Sequence, residues 1–221
     1  MYLTRDSGAA LDESMILERF AAIWNADRDD TVAIIRVEDG EDVYLRLGRE
    51  MLSRFFHGTF SRDRSETVAL ERRLSVRLSD AVVFTGFADR IGRTEKGRLF
   101  VIDYKSSKTE GDGSEFSEGL QAPLYAACAL ADSSEEEALA GYHYLRFGTT
   151  RWQHVNGERS AQLLERFLDL ANEAAATGDF PARPGILCAW CGFNAQCPAA
   201  EVPERFSGGL RRAERDGRRL L

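Results

Sequence analysis

One stretch of the sequence combines residue types suited to metal-assisted chemistry on a phosphodiester. In Leu99-Phe100-Val101-Ile102-Asp103-Tyr104-Lys105 an apolar run ends in a carboxylate and an amine two positions apart. On a strand both point to the same face. A second acid lies upstream in Gly86-Phe87-Ala88-Asp89-Arg90-Ile91, close enough through a hairpin for two carboxylates to share a site. Two hard oxygen ligands plus water suit Mg²⁺ or Mn²⁺. A cation held this way polarises a phosphodiester and acidifies bound water, while a nearby ammonium orients that water and steadies the developing charge. Of the 29 basic residues only Lys96, Lys105 and Lys108 are lysines, so an amine at position 105 departs from the chain's own habit. Its compact charge suits this role better than the broad fork of arginine. The same residues also admit a plainer reading, as a turn-forming Asp at a strand end and a solvated Asp-x-Lys ion pair.

The elements that must position these groups are readable from periodicity. Leu11, Met15, Phe20, Ile23 and Trp24 predict an amphipathic helix over 10–26, and Leu45, Met51, Leu52, Phe55 and Phe56 a second over 42–56. After Gly58 the period becomes two, with Val68, Leu70, Leu74, Val76 and Leu78 marking a strand. Val82–Ile91 and Arg98–Lys105 read as further strands around the polar turn 92–97, giving an antiparallel meander. For Asp89 and Asp103 to converge, these strands must splay or bulge, because Asp89 is expected nearer the turn; Gly86 is a place for that distortion. A polar loop, 106–118, leads to a helix over 118–131, in which Pro123 predicts a kink or a later start. Tyr142–Phe147 and Arg151–Val155 read as strands, and Leu163, Leu164, Phe167, Leu168 and Ala171 mark a last helix that Gly178 ends.

At 221 residues and 43% hydrophobic content the chain is long enough to bury a large core, and its composition is neither disordered nor collagen-like. The net charge of −7 argues against a protein coated in positive charge for non-specific nucleic-acid binding, while leaving room for a local basic groove. No apolar run approaches the roughly 18 residues needed to cross a bilayer. The first residues, Met1-Tyr2-Leu3-Thr4-Arg5-Asp6, carry no signal-like apolar segment, so the expected compartment is the cytoplasm and no membrane partner is expected.

Taken together, Gly86-Phe87-Ala88-Asp89-Arg90, Val101-Ile102-Asp103-Tyr104-Lys105 and Gln121-Ala122-Pro123-Leu124-Tyr125 closely resemble the PD-(D/E)XK nucleases of the RecB and AddB type, a group that includes the CRISPR-associated spacer-acquisition nucleases. The resemblance covers roughly residues 40–200. It implies an α/β (α+β mixed) fold, with a restriction-endonuclease-like central mixed sheet flanked by helices and a small cysteine-rich C-terminal appendage. It also implies a Mg²⁺- or Mn²⁺-dependent, exonuclease-like deoxyribonuclease of DNA repair or recombination, with DNA as substrate and a helicase or recombination partner. By the same resemblance Asp89, Asp103 and the backbone carbonyl of Tyr104 bind the metal, Lys105 positions the attacking water, and Glu71 matches an acidic position whose role is less defined. Gln121 and Tyr125, at i and i+4, share a helix face that looks into the site in that family. Lys108 and Arg90 are candidate DNA contacts. The alternative function is a weakened or inactive nuclease-fold domain that binds DNA or acts as a scaffold.

Cys188, Cys191 and Cys197 form a C-x2-C-x5-C pattern that suggests metal ligation more than disulfides. It resembles the C-terminal ligand set of the family's iron–sulfur cluster, with zinc as the alternative and no fourth ligand identified. Cys128, in an apolar helical stretch, reads as a buried thiol. A further family feature, a helix opening with Gly-x-x-x-His, corresponds here to Gly8–Asp12, with Asp12 in the histidine's place. His143 and His154 read as structural. The expected organisation is a helical part at 1–60, a nuclease core at 61–180, the cysteine segment at 181–200 and a basic tail at 201–221.

Overall fold

A computed structural model describes residues 1–27, 40–110 and 119–201, with the backbone of 32–33 and 219–220. Most of the basic tail and most of the polar loop after Lys105 lie outside the described residues. The chain divides into two units, Met1–Leu11 with Met51–Gly178, and Asp12–Glu50 with Asp179–Leu221.

The first unit is built on a five-stranded mixed sheet, ordered β2 (Glu66–Arg77), β3 (Val83–Arg93), β4 (Leu99–Lys105), β5 (Glu137–Tyr144), β6 (Thr149–Asn156). The expected meander is present as β2-β3-β4, antiparallel throughout. β5 then runs parallel to β4, which requires a crossover. Helix α4 (Gln121–Ala131) supplies it. Pro123 sits in its first turn, where a missing N–H costs nothing, so the helix starts late and does not kink. Its alanines, Ala122, Ala126 and Ala127, are fully buried and let the helix lie close on the sheet. Helix α5 (Gly157–Ala176) packs beside it, started by Asn156, whose side chain accepts the Arg159 N–H at 2.8 Å.

Strand β5 begins at Glu137, well before the Tyr142 start that the sequence suggests. Ala138, Ala140 and Gly141 have little strand propensity, yet complete burial between β4 and β6 overrides it.

The opposite face of the sheet carries a smaller cluster of Tyr2, Phe55 and Phe60. Its centre is Arg90, 2% exposed. The guanidinium donates to Asp63 Oδ2 at 2.7 Å, Ser65 Oγ at 2.8 Å and Thr67 Oγ1 at 3.1 Å, and lies 3.5 Å from the centroid of the Tyr2 ring. Tyr2, on the short helix α1 (Tyr2–Asp6), also donates its hydroxyl to Asp63. Burial opposes ionisation of Asp63, yet the hydrogen bonds from Ser65 and Arg90 hold its carboxyl below the usual range.

In the second unit α2 (Glu13–Asp27) fills the helix expected at 10–26, and Trp24 donates to Glu41 Oε1 at 3.2 Å. Gly48 lets the Phe20 ring approach, since a Cβ there would fall 2.3 Å from it. Residues 41–50 of α3 (Glu41–Gly58) belong to this unit and 51–58 to the first. Two-residue strands β1 (Val32–Ala33) and β7 (Arg219–Leu220) pair in parallel. A 3-10 turn, Ile186–Trp190, opens the cysteine segment. Among the described residues no helix is long and apolar enough to cross a membrane.

Candidate active site

The ladder between β3 and β4 runs from Arg93↔Leu99 to Arg90↔Ile102. The next residues outward are Asp89 and Asp103, so the two carboxylates stand level where the pairing ends. The expectation that Asp89 lies nearer the turn is therefore corrected: β3 continues to Arg93, and the turn closes through Thr94 N–H to the Arg98 carbonyl.

The distortion that frees Asp89 is at Asp89 itself and not at Gly86. Ala88 and Ile91 both enter the core beneath α4, although an unbroken strand would put residues three apart on opposite faces. The neighbouring strand changes face at the same level, while its register with β3 shifts further along, between Thr67 and Ala69. Ala69 and Leu74 share that core, while Leu70 joins the cluster on the other face. Between them Glu71 holds φ at +48°, a left-handed conformation unusual for a side chain of this size. Register pairs Leu70↔Arg90 and Arg72↔Ala88 bracket Glu71 and Asp89, so one kink crosses both strands. Gly86 has another task. A Cβ there would fall 2.3 Å from Tyr125, so its bareness seats the Tyr125 ring on the sheet.

Released from the ladder, Asp89 turns its Oδ2 to accept the Tyr104 N–H at 2.8 Å. Asp103 is 4% exposed, and its Oδ2 has no hydrogen-bond partner although Lys105 Nζ stands 2.6 Å away. The contact is an ion pair. Burial raises the Asp103 carboxyl above its ordinary value; Lys105 pulls it down and the Asp89 charge pushes it up again. Lys105 Nζ donates to Gln121 Oε1 at 2.7 Å, and Gln121 Nε2 donates to Tyr125 Oη at 3.3 Å. Strand and helix are thus joined through a carboxylate, an ammonium, an amide and a phenol.

A buried carboxylate oxygen without a hydrogen bond, beside a second carboxylate pinned by a backbone amide, is a donor set that a hard divalent cation satisfies. The Asp89 and Asp103 carboxylates are therefore donors of the kind that Mg²⁺ or Mn²⁺ takes. Among the described residues no third His, Cys, Asp or Glu joins the two acids. Glu71 is accordingly outside the set; it is exposed on β2, level with Asp89. Arg90 is not presented to a ligand, because burial and its bonds to Asp63, Ser65 and Thr67 occupy it. Lys108 is exposed on the loop after β4.

Gly8–Asp12 does not open a helix as a catalytic motif. Asp12 precedes α2 and caps it, accepting the Met15 N–H at 2.9 Å. The same Gly-x-x-x spacing recurs in α3 from Gly48, with Leu52 in the fifth place. The Cys188, Cys191 and Cys197 thiols do not converge as a ligand set, and Cys188 Sγ instead accepts the Gly185 N–H at 3.4 Å. Cys128 is a core residue, its thiol pushed up to about 12 by burial. His143 is fully buried and structural, with Nδ1 2.7 Å from Thr150 Oγ1.

One residue escapes sequence reasoning. Tyr142 pairs with Asp103 across the parallel ladder, holds the Ala122 N–H with its hydroxyl at 3.0 Å, and backs Lys105 Nζ with its ring at 5.4 Å. Only the β4–β5 register reveals it.

The chain is similar to known proteins in three respects. The sequence profile of the PD-(D/E)XK nuclease superfamily matches residues 4–198. The chain is 30% identical over 105 residues to an ATP-dependent helicase/deoxyribonuclease component of Streptococcus agalactiae, in strains of serotypes Ia, V and III. That alignment covers 47% of this chain and 10% of each relative, so the chain spans about a tenth of their length. The crystal structure of SSO0001 aligns with a TM-score of 0.40 at 15% identity, over 87% of this chain and 99% of that one.

Proposed function

The chain belongs to the PD-(D/E)XK nuclease superfamily, and from that premise we propose that it is a divalent-metal-dependent deoxyribonuclease. Exonuclease-like hydrolysis in DNA repair or recombination is the role proposed, with a helicase as partner and the cytoplasm as its compartment. The observation that carries the reading is the level placement of Asp89 and Asp103 where the β3–β4 ladder ends, with Lys105 beside them.

In this reading Asp89, Asp103 and the Tyr104 carbonyl would hold Mg²⁺ or Mn²⁺, and the cation would supply Lewis acidity toward the phosphodiester and water. Tyr104 N–H holds Asp89 by its Oδ2 at 2.8 Å. Burial of Asp103 makes a bound cation the natural complement of its charge. Gln121 holds the Lys105 ammonium at the carboxylate edge, where it orients the attacking water and meets charge growing on the phosphate. Tyr125 anchors Gln121 in turn. Lys108 contacts the strand beyond the scissile bond.

The direct test is cleavage of end-labelled DNA with Mg²⁺ or Mn²⁺, comparing wild type with Asp103→Ala and Lys105→Ala. Loss of activity in both supports the reading, and activity surviving both removes it. The second reading, a weakened domain that binds DNA without cutting, draws on the absence of a third protein acid or histidine at the two carboxylates among the described residues. Saturable DNA binding by wild type with no cleavage under either cation would favour it.

A further inference from the structure

A cleft of about 410 Å³ opens on the sheet face opposite the two acids. Along β4, Phe100, Ile102 and Tyr104 line it, alternating with the Val101, Asp103 and Lys105 side chains that face α4. Its volume lies in the range that accepts a small organic ligand.

Two kinds of wall meet there. One is aromatic and rigid. Trp152 of β6 is 42% exposed, and its indole lies against Gly141, where a Cβ would fall 2.5 Å from the ring. Phe100 meets it edge-on at 5.8 Å between centroids. The indole is thus seated yet keeps exposed surface for stacking. Nearby, the Tyr104 side chain also lines the cleft. The other wall is cationic. Arg90 is neutralised by Asp63, which leaves exposed Arg62 and Arg64 against Glu95, a positive balance on a chain of net charge −7.

A flat apolar platform beside two guanidinium groups matches a planar base joined to a phosphate. We propose that this cleft binds a nucleoside monophosphate, with its base on Trp152 and its phosphate at Arg62 and Arg64, at a site separate from the two acids. The proposal does not depend on metal-ion catalysis.

Equilibrium dialysis of the full chain with labelled deoxyadenosine monophosphate, in EDTA, tests it. Wild type is expected to bind saturably. The Arg62→Ala/Arg64→Ala double variant and Trp152→Ala are each expected to bind about tenfold or more weakly, the loss of roughly one stacking or charge-assisted contact. Inorganic phosphate and deoxyadenosine are each expected to compete less well than the intact nucleotide. Asp103→Ala is expected to bind as wild type does. Trp152 supports the sheet, so its variant is compared by circular dichroism, and the exposed arginine pair carries the test if that variant unfolds. Three results would overturn the proposal: no saturable binding by wild type, unchanged affinity in the arginine double variant, or lost binding in Asp103→Ala, which would put the nucleotide at the acids.

Discussion

Lys105 has two close polar neighbours, Asp103 at 2.6 Å and Gln121 at 2.7 Å, and they do different things. The carboxylate attracts the ammonium wherever it stands, but the amide oxygen fixes one position for it. Gln121→Leu keeps the helix and removes that acceptor, so cleavage is expected to fall by about tenfold to a hundredfold in kcat with little change in thermal stability, the scale of a misplaced catalytic group. Steady-state kinetics beside a melting curve checks this; a change in KM alone would show that Gln121 contacts substrate and does not position Lys105. Arg90 poses the contrasting case. Arg90→Ala leaves the half-buried Asp63 carboxylate without its cation and the Tyr2 ring without its stacking partner. A loss of roughly 3–5 kcal/mol in stability is expected, the usual cost of breaking a buried pair. Urea unfolding measures it, and a loss under about 1 kcal/mol would contradict the structural role given to this residue.

At the scale of elements, the candidate site lies where two strands change face together at Glu71 and Asp89. Gly86→Ala tests how closely α4 must sit on the sheet. The added methyl meets the Tyr125 ring, so the ring must move and loosen its bond to Gln121. Slower cleavage with a stability loss of about 1–3 kcal/mol is expected, as for overpacking elsewhere; unchanged cleavage would detach Tyr125 from catalysis. The sequence made Asp103 and Lys105 legible because alternation on a strand is a strict rule, and it made Gln121 and Tyr125 legible because i and i+4 share a helix face. It could not place Asp89 level with Asp103, since the polar residues suggest a turn over 92–97 while β3 runs on to Arg93. Nor could it find Tyr142, whose partnership with Asp103 depends on a parallel register set by a crossover helix. Arg90, expected as a DNA contact, is instead buried on Asp63 and Ser65, partners that nothing local in the sequence announces.

For the molecule as a whole, buried titratable groups set a pH limit on the fold. Burial depresses His143 to about 4, against an ordinary value near 6.5, so it is neutral when folded and takes a proton more readily once unfolded. Its neutral burial therefore costs nothing above about pH 6.5, and stability falls as pH drops from there toward about 4, by up to about 3 kcal/mol. Asp63, held below its usual range, adds a loss at still lower pH, as its carboxylate takes up a proton. Urea midpoints for wild type and His143→Gln between pH 4 and pH 7 check the first effect, and a flatter profile is expected in the variant. Equal slopes would place the acid sensitivity elsewhere.

The claim on which the account turns is that Asp89 and Asp103 grip one divalent cation. Electron paramagnetic resonance of Mn²⁺ added to wild type, Asp89→Asn and Asp103→Asn reads this directly. One saturable ion on wild type, weakened at least about tenfold by either substitution, is the result the geometry requires. Mn²⁺ binding that is absent from wild type, or unchanged in both variants, would contradict it.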